Sequence, residues 1–493
     1  MLDSEGRVCR VPGVNTGGTA RVGVYLTLLA IPCILVFHYR FIPFDDCLYH
    51  AAKALSGKPW NEILVLRGDV RLDPNPGWHA LLSLMHRGSG GGPAALAIFS
   101  YTSLLILATM AVLPLFRRPE AWVIALTVAG VALPDTFFFR LTRGRPYLLT
   151  EAFLLILLFL WRRAPRKPST PLVLLTVSLL ALSAWIHGAW YLWGAIPAAF
   201  LVLGEFPAAA GFGACWLTGS FLGAALTGHP FDYLRQQVAH LCLAFGHGSL
   251  PRFLVSEFHP TDGCATYLLA LAVVWLVRRR VLGTRAVESD ERLFLSLGLL
   301  GWIGGLLVSR WWSEWGLPAT LLWMALAIQQ ILERDGLLPG SRRLALVGLS
   351  CAALICSFAG DCGERWTHTV WAAKEDRSAG SPGNDGGTAA WLPEPGGVVY
   401  NSQMAVFTRL FFEHPEGAWR YVYGFESGLM TPENLRILRG IQADEGTWAG
   451  YRPWVARMTR SDRLIVLSAA RPEISDLEWK EIAQGLWSGR RPS

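Results

Sequence analysis

The sequence predicts a mainly α-helical polytopic membrane protein: a bundle of about eleven spans, followed by a small α/β domain on the far side of the bilayer. Three observations predict it. Of 493 residues, 52% are hydrophobic and only 16% are charged, whereas about a quarter of an ordinary soluble domain is charged. The deficit is local, because runs such as 147–161 and 344–360 are nearly free of charge and approach the length that crosses a hydrocarbon core. After residue 397 the pattern changes, and strand-like and helix-like segments alternate.

Apolar runs occur at 22–39, 93–115, 120–138, 147–161, 171–186, 189–204, 208–227, 264–278, 293–309, 315–332 and 344–360. The connection at Glu205–Phe206 is the shortest and carries no charge pattern of its own. Basic residues set the orientation. Arg117 and Arg118 share one loop, and Arg162, Arg163, Arg166 and Lys167 another. Arg278, Arg279, Arg280 and Arg285 form a third group, and Arg334, Arg342 and Arg343 a fourth. Eleven spans place all four on the side of the N-terminus, where Arg7, Arg10 and Arg21 also lie, so that side is the cytoplasm by the positive-inside rule. The same placement accounts for the net charge of +7 and excludes a nucleic-acid-binding role. The first run follows some twenty polar residues without a small-residue cleavage site, so it reads as an anchor of an integral plasma (inner) membrane protein. The nine cysteines show no CxxC or Cys/His metal spacing. Cys47, Cys242, Cys264 and Cys362 fall near the outer face, where a disulfide stays open.

The chain thus divides into a cytoplasmic segment 1–21, a membrane module 22–360 with outer loops 40–92 and 228–263, and an extracytoplasmic linker and small α/β domain 361–493. Within that last part, 378–387 is a Gly/Ser/Pro-rich linker. Strands are expected at 398–401, 420–425 and 463–468, and helices at 404–412, 432–441 and 476–486.

The chemistry concentrates at the outer face. Phe44-Asp45-Asp46-Cys47-Leu48-Tyr49-His50 follows the first span directly. If a helix opens here, Asp45 sits at its cap, and Asp46, Tyr49, His50 and Lys53 share one face. Paired carboxylates at a membrane surface suit general-base work or cation binding, and they also suit a plain helix cap. Arg140, Arg143 and Arg145 lie on the outer side, against the positive-inside bias. Guanidinium groups bind phosphate in a bidentate manner, so this cluster fits a lipid phosphate head group, with snorkelling to the interface as the simpler account. Glu151 lies one turn into the next span, where a carboxylate is costly and is a functional candidate by default, or a partner for one of these arginines. His187 stands among interfacial aromatics, and Arg310 lies in Arg310-Trp311-Trp312-Ser313-Glu314-Trp315 with a carboxylate at hand for local pairing.

The stretch Asp45-Asp46-x-x-Tyr49-x-x-Ala52-Lys53-x-x-x-x-Gly57-x-x-Trp60 resembles the first outer loop of GT-C class membrane glycosyltransferases. Its pattern is nearest to the protein O-mannosyltransferases and the lipid A aminoarabinose transferases. Asp73-Pro74-Asn75-Pro76-Gly77-Trp78 is similar to their proline-rich stretch leading into a Trp, and Arg143-Gly144-Arg145-Pro146 to their arginine-proline element. Two departures stand out: the second acidic residue is Asp46, where an Asp-Glu pair is usual, and no His-Pro-Pro element is intact. The resemblance covers the first third of the chain well and the topology loosely. It implies a GT-C-like fold and an inverting transfer from a polyprenyl-phosphate-linked sugar donor to a glycan, lipid or protein acceptor. Asp45 would be the base, supported by Asp46. Tyr49, His50, Lys53, Trp78, Arg140, Arg143, Arg145, Glu151, His187 and Arg310 are the candidate substrate contacts. Members of that class differ in metal use, which leaves a divalent metal open. Two other classes are weighed against it. A transporter or flippase for a lipid-linked substrate would also use outer arginines and Glu151, but it predicts internal repeats that the sequence lacks. A non-catalytic assembly protein would explain the large tail and leave the ordering of the acidic pair, Trp78 and the arginine loop as coincidence.

Overall fold

The computed structural model describes residues 16–38, 46–70, 72–164, 166–246, 259–261, 264–283, 289–334, 340–365, 390–443 and 447–492. Asp45, the linker 378–387, and Arg7, Arg10 and Arg285 lie outside the described residues.

The described chain is mostly helical, and every apolar run of the sequence forms helix. In order these are α1 (Thr16–Cys33), α2 (Asp46–Ser56), α3 (Trp60–Ile63), α4 (Pro76–Ser89), α5 (Pro93–Met110), α6 (Pro119–Ala132), α7 (Pro134–Leu141), α8 (Tyr147–Trp161), α9 (Thr170–Ile186), α10 (Ala195–Val202), α11 (Phe206–Ala225), α12 (Pro230–Gly246), α13 (Ala265–Leu282), α14 (Ser289–Gly305), α15 (Ser309–Glu333) and α16 (Gly340–Arg365). By length and composition, five helical segments are long and apolar enough to cross a membrane: Gly18–His38, Pro93–Leu115, Phe206–Ala225, Ser309–Glu333 and Arg342–Ala359. Shorter apolar helices pack among them. One predicted run is broken. The segment 120–138 divides at Leu133, because Pro134 has no N–H to continue the ladder and restricts the residue before it. The run 189–204 also starts as a 3-10 turn, Trp190–Gly194, before α10.

Large aromatic side chains fill the bundle, with Trp78, Trp122, Trp161 and Trp312 fully buried. Close helix approach depends on small residues: a Cβ at Gly223 of α11 would lie 2.2 Å from the Ala181 carbonyl of α9. Buried ion pairs tie one end of the bundle together. Arg278 forks onto Glu291 at 2.7 and 2.8 Å, where Gln330 and Trp323 also donate. Arg343 pairs with Glu120 at 2.7 Å. Gln329 accepts from the backbone of Arg117 and Arg118, and Arg21 donates to the Arg117 carbonyl. Basic groups far apart in sequence therefore share this end. Glu314 lies sixteen residues before Gln330 on α15, about 24 Å away at 1.5 Å per residue, and marks the opposite end.

The tail folds into β1 (Val398–Tyr400), α17 (Met404–Glu413), β2 (Arg420–Tyr421), α18 (Pro432–Ala443), α19 (Arg452–Arg457), β3 (Arg463–Leu467), β4 (Glu478–Ala483) and β5 (Leu486–Arg490). The strand order is β2-β1-β3-β5-β4, with β1 parallel to both β2 and β3, and β5 antiparallel to β3 and β4. Two expectations are corrected. The strand expected over 420–425 covers only Arg420–Tyr421. The helix expected over 476–486 is the β4–β5 hairpin. Its turn, Gln484-Gly485, places a Gly at φ +65°, a left-handed backbone that glycine adopts without strain. Pairing with β3 outweighs the helical reading of a short mixed segment.

The first outer loop belongs to the same sheet. Leu64 bridges Tyr421 in parallel, Leu66 bridges Met430, and Val65 N–H donates to the Tyr421 carbonyl at 2.9 Å. Trp60, Ile63, Leu64 and Val70 share one buried cluster with Val399, Phe407, Leu410 and Phe411. Lys58 Nζ donates to the Glu416 and Gly417 carbonyls, and Arg67 to that of Gly428.

Candidate functional site

A cavity with about 810 Å³ of empty volume opens where α2, the loop after α7, the C-terminal end of α9, the start of α15 and the tail domain meet. The sequence of α2 explains its wall. The helix is amphipathic, and of its buried residues Tyr49 and Ala52 face the tail domain, Cys47 and Leu48 the bundle, and His50 faces His79 of α4. Asp46 in its first turn lines the cavity with Tyr49 and His50. Opposite stands the arginine loop. Gly144 has φ +65°, and a Cβ there would come within 2.8 Å of the Cys47 Cβ. Its carbonyl accepts from Ser100 Oγ of α5 at 3.3 Å. The turn is pinned against α2 and α5, and Arg145 is held where its guanidinium pairs with the Asp46 carboxylate. Arg140, in the last turn of α7, also lines the cavity.

His187 and Arg310 complete the expected set. His187 follows α9 directly, and Arg310 pairs with Glu314 one turn on, with Glu314 2% exposed. The acidic residue and the arginines, nearly 100 to over 260 residues apart, thus meet around one space. Three candidates lie elsewhere. Trp78 is 1% exposed in the bundle core and does not line the cavity. It follows Gly77, whose missing Cβ leaves room for the Trp185 ring, since a Cβ there would lie 2.6 Å from Cδ2. Lys53 sits on the tail side of α2, 5.5 Å over the Trp60 ring. Arg143 is half-buried away from the cavity lining. Glu151 lines a smaller adjoining cavity of about 230 Å³, which shares Tyr147 and Glu314 with the main one. Asp45 immediately precedes α2 in sequence and lies outside the described residues. Cys47 and Cys264 are buried free thiols.

Several lining residues carry no local signal in the sequence. Phe425 and Glu426 come from the tail; the Phe425 ring stacks on Tyr49 at 5.0 Å with planes 10° apart. Gln237 of α12 reaches the cavity beside Gly188. Gln237 Nε2 and His187 Nδ1 are buried without a hydrogen-bond partner among the described residues. Buried polar atoms normally have partners, so these two leave hydrogen-bonding capacity at the cavity for water or a polar group.

Behind His50 runs a chain of imidazoles. His50 Nδ1 lies 2.7 Å from His79 Nε2, and His79 Nδ1 lies 2.6 Å from an Asp73 carboxylate oxygen. Asp73 also accepts the Asn75 N–H at 2.9 Å. This turn is fixed against α9, because Tyr233 Oη and the Gly188 N–H both donate to the Pro74 carbonyl. Burial pushes the Asp73 carboxyl up, but His79, Lys53 and the Asn75 N–H together hold it well below the usual carboxylate range. Burial holds the His50 imidazole well below its ordinary value; His79, His187 and Arg145 act in the same direction and Asp73 against it. His187 is held down to about 3 by burial and by Arg310 and Arg145. Burial lowers Lys53, against the pull of Asp73. The expected histidine was read alone; the signal for its partner was His79, the residue after Trp78 in the proline-rich stretch.

Among the described residues, no group of three or more His, Cys, Asp or Glu side chains is arranged to hold a metal ion. The cavity pairs guanidinium groups with carboxylates at the end of an apolar bundle, which suits an anionic head group whose apolar part stays among the helices. Neither protein-family models nor curated proteins give a match to this chain.

Proposed function

We propose that the chain is an integral membrane glycosyltransferase that moves a sugar from a polyprenyl-phosphate-linked donor to a glycan, lipid or protein acceptor at the extracytoplasmic face. The observation that carries this reading is the convergence of Asp46, Arg140, Arg145 and Arg310 on one cavity. It lies at the bundle end opposite the gathered basic loops. In this reading all eleven apolar runs are spans, the basic end faces the cytoplasm, and the cavity and tail domain face outward across the plasma (inner) membrane. The arginines stabilise the charge that grows on the departing lipid phosphate. The orphaned polar atoms of His187 and Gln237 meet hydroxyls of the sugar or acceptor. Phe425 and Glu426 bring the tail domain to the cavity, and in this reading the acceptor approaches from that side. The acidic pair Asp45–Asp46 belongs to the machinery by its place in the motif.

The test uses the full chain in lipid nanodiscs with undecaprenyl-phosphate-linked pentoses and hexoses. Release of undecaprenyl phosphate together with a glycosylated product is expected, and Arg145→Gln should abolish it without reducing the amount of inserted protein. Movement of intact donor across a liposome bilayer, with no cleavage, would replace the transferase by a flippase.

A further inference from the structure

The geometry points to His50 as the group that takes the proton from the acceptor hydroxyl, with His79 and Asp73 as positioning residues that carry the resulting charge away from the cavity. This inference rests on the transferase reading and moves the base from Asp45 to His50. An ionised carboxylate can only accept, so Asp73 holds a proton on His79 Nδ1. With the proton of His79 on Nδ1 alone, His79 Nε2 is an acceptor and His50 Nδ1–H donates the 2.7 Å contact. His50 is left with a lone pair on Nε2, and its side chain lines the cavity. Three carboxylates are described at the cavity: Asp46 already engages the Arg145 guanidinium, Glu314 engages Arg310, and Glu426 is an exposed residue of the tail domain.

The step balances. The acceptor oxygen forms a bond to the anomeric carbon while its proton passes to His50 Nε2. The His50 Nδ1 proton moves to His79 Nε2, and the His79 imidazolium is held against the Asp73 carboxylate. The bond from the anomeric carbon to the phosphate oxygen breaks, and its electron pair leaves with the polyprenyl phosphate. The proton then returns through the same chain to the phosphate or to cavity water. The chain answers a physical difficulty: a buried imidazole beside Arg145 and His187 is a poor place to leave positive charge. One ring further in, the charge meets a carboxylate that Lys53 and the Asn75 N–H keep ionised. Orienting a histidine through its second nitrogen is a general device for fixing its tautomer.

The experiment is nitrogen-15 NMR of histidine-labelled full-length protein in nanodiscs at neutral pH, assigned through His50→Gln and His79→Gln. Wild type should show both histidines protonated on Nδ1, each with a far-downfield N–H signal. Asp73→Asn can donate to His79 Nδ1, which reverses the His79 tautomer and moves the His50 proton to Nε2. In that variant kcat for sugar transfer should fall on the order of 10²–10⁴-fold, with KM for donor and binding of undecaprenyl phosphate unchanged. A wild-type His50 protonated on Nε2 would overturn the proposal, whether or not Asp73→Asn folds. So would undiminished kcat in His50→Gln. Failure of the transferase reading looks different: undecaprenyl phosphate does not bind and no donor is cleaved, while both Nδ1–H signals are present.

Discussion

Gly144 is the hinge on which the candidate site depends, and replacing it by alanine separates two costs that the structure makes visible. The residue sits at φ +65°, so an L side chain there is strained by about 1–2 kcal/mol. Its new Cβ would also lie 2.8 Å from the Cys47 Cβ, a separation real Cβ atoms do not adopt. Relieving that contact requires a backbone shift, and overpacking of this kind costs about 1–3 kcal/mol. Gly144→Ala should therefore lose about 2–5 kcal/mol of stability and move Arg145 relative to Asp46. The assay is denaturant unfolding in mixed micelles, followed by tryptophan fluorescence, with undecaprenyl phosphate binding measured in parallel. Cys47→Gly, combined with Gly144→Ala, should recover the steric part and leave the φ part, giving a favourable coupling of about 1–3 kcal/mol. Gly144→Asn should fall between, because asparagine tolerates the left-handed region. If Gly144→Ala matches wild type within about 0.5 kcal/mol and binds undecaprenyl phosphate equally well, the loop is not held against α2 and the account of Arg145 fails.

Trp78→Ala should cost about 3–5 kcal/mol in the same unfolding assay. Because Trp78 is 1% exposed in the bundle core, undecaprenyl phosphate affinity of the folded fraction should not change; a specific loss of affinity would return Trp78 to the site. Acid should destabilise the protein through His187. Its folded-state value is depressed to about 3 from 6.5, so below about pH 6.5 the unfolded chain takes the proton first and stability falls at about 1.4 kcal/mol per pH unit. Melting temperatures between pH 7.5 and 5 check this; His50 is depressed in the same sense and contributes a slope of its own, so His187→Gln should remove only the His187 share. Phe425→Ala removes a ring stacked on Tyr49 and 4.7 Å from Trp60. It should cost at least the ~0.5–1.5 kcal/mol of an aromatic pair and alter acceptor use while donor cleavage in water persists, as product analysis would show.

The helices were legible because apolar composition alone marks a buried or lipid-facing run, and α2 was legible because the spacing of Asp46, Tyr49 and His50 follows the helical repeat. The arginine turn was legible too, since Arg143-Gly144-Arg145-Pro146 carries its own backbone requirement in the glycine. Within that turn, however, sequence could not say that Arg145 faces the cavity and Arg143 does not. Lys53 shows the same limit: it shares a helical face with Tyr49 but reaches over the Trp60 ring and does not line the cavity. Partners brought in by tertiary packing left no trace in local pattern. Phe425 and Glu426 lie between Tyr421 and Met430, which pair with Leu64 and Leu66 of the first outer loop. The β4–β5 hairpin was missed although Gln484-Gly485 supplied a turn signal, because the alternation of Glu478-Trp479-Lys480-Glu481 is short and its pairing partner is β3.

The shared core of loop and tail changes how the tail's role can be approached. An appended domain on a long linker invites removal, and survival or loss of activity would then seem to report on acceptor recognition. Here removal would strip the partners from Trp60, Ile63, Leu64 and Val70, all 6% exposed or less. It would also free Lys58 and Arg67 from the carbonyls they bind. The segment so exposed is the continuation of α2, the helix that carries Asp46 and His50, and it leads directly to Asp73. Loss of transfer after truncation would therefore report the collapse of the cavity wall as readily as the loss of an acceptor contact. The two roles separate only at side chains that reach the cavity without supporting the shared core. Glu426 is the clearest of these, because it is exposed, lines the cavity and belongs to neither buried cluster.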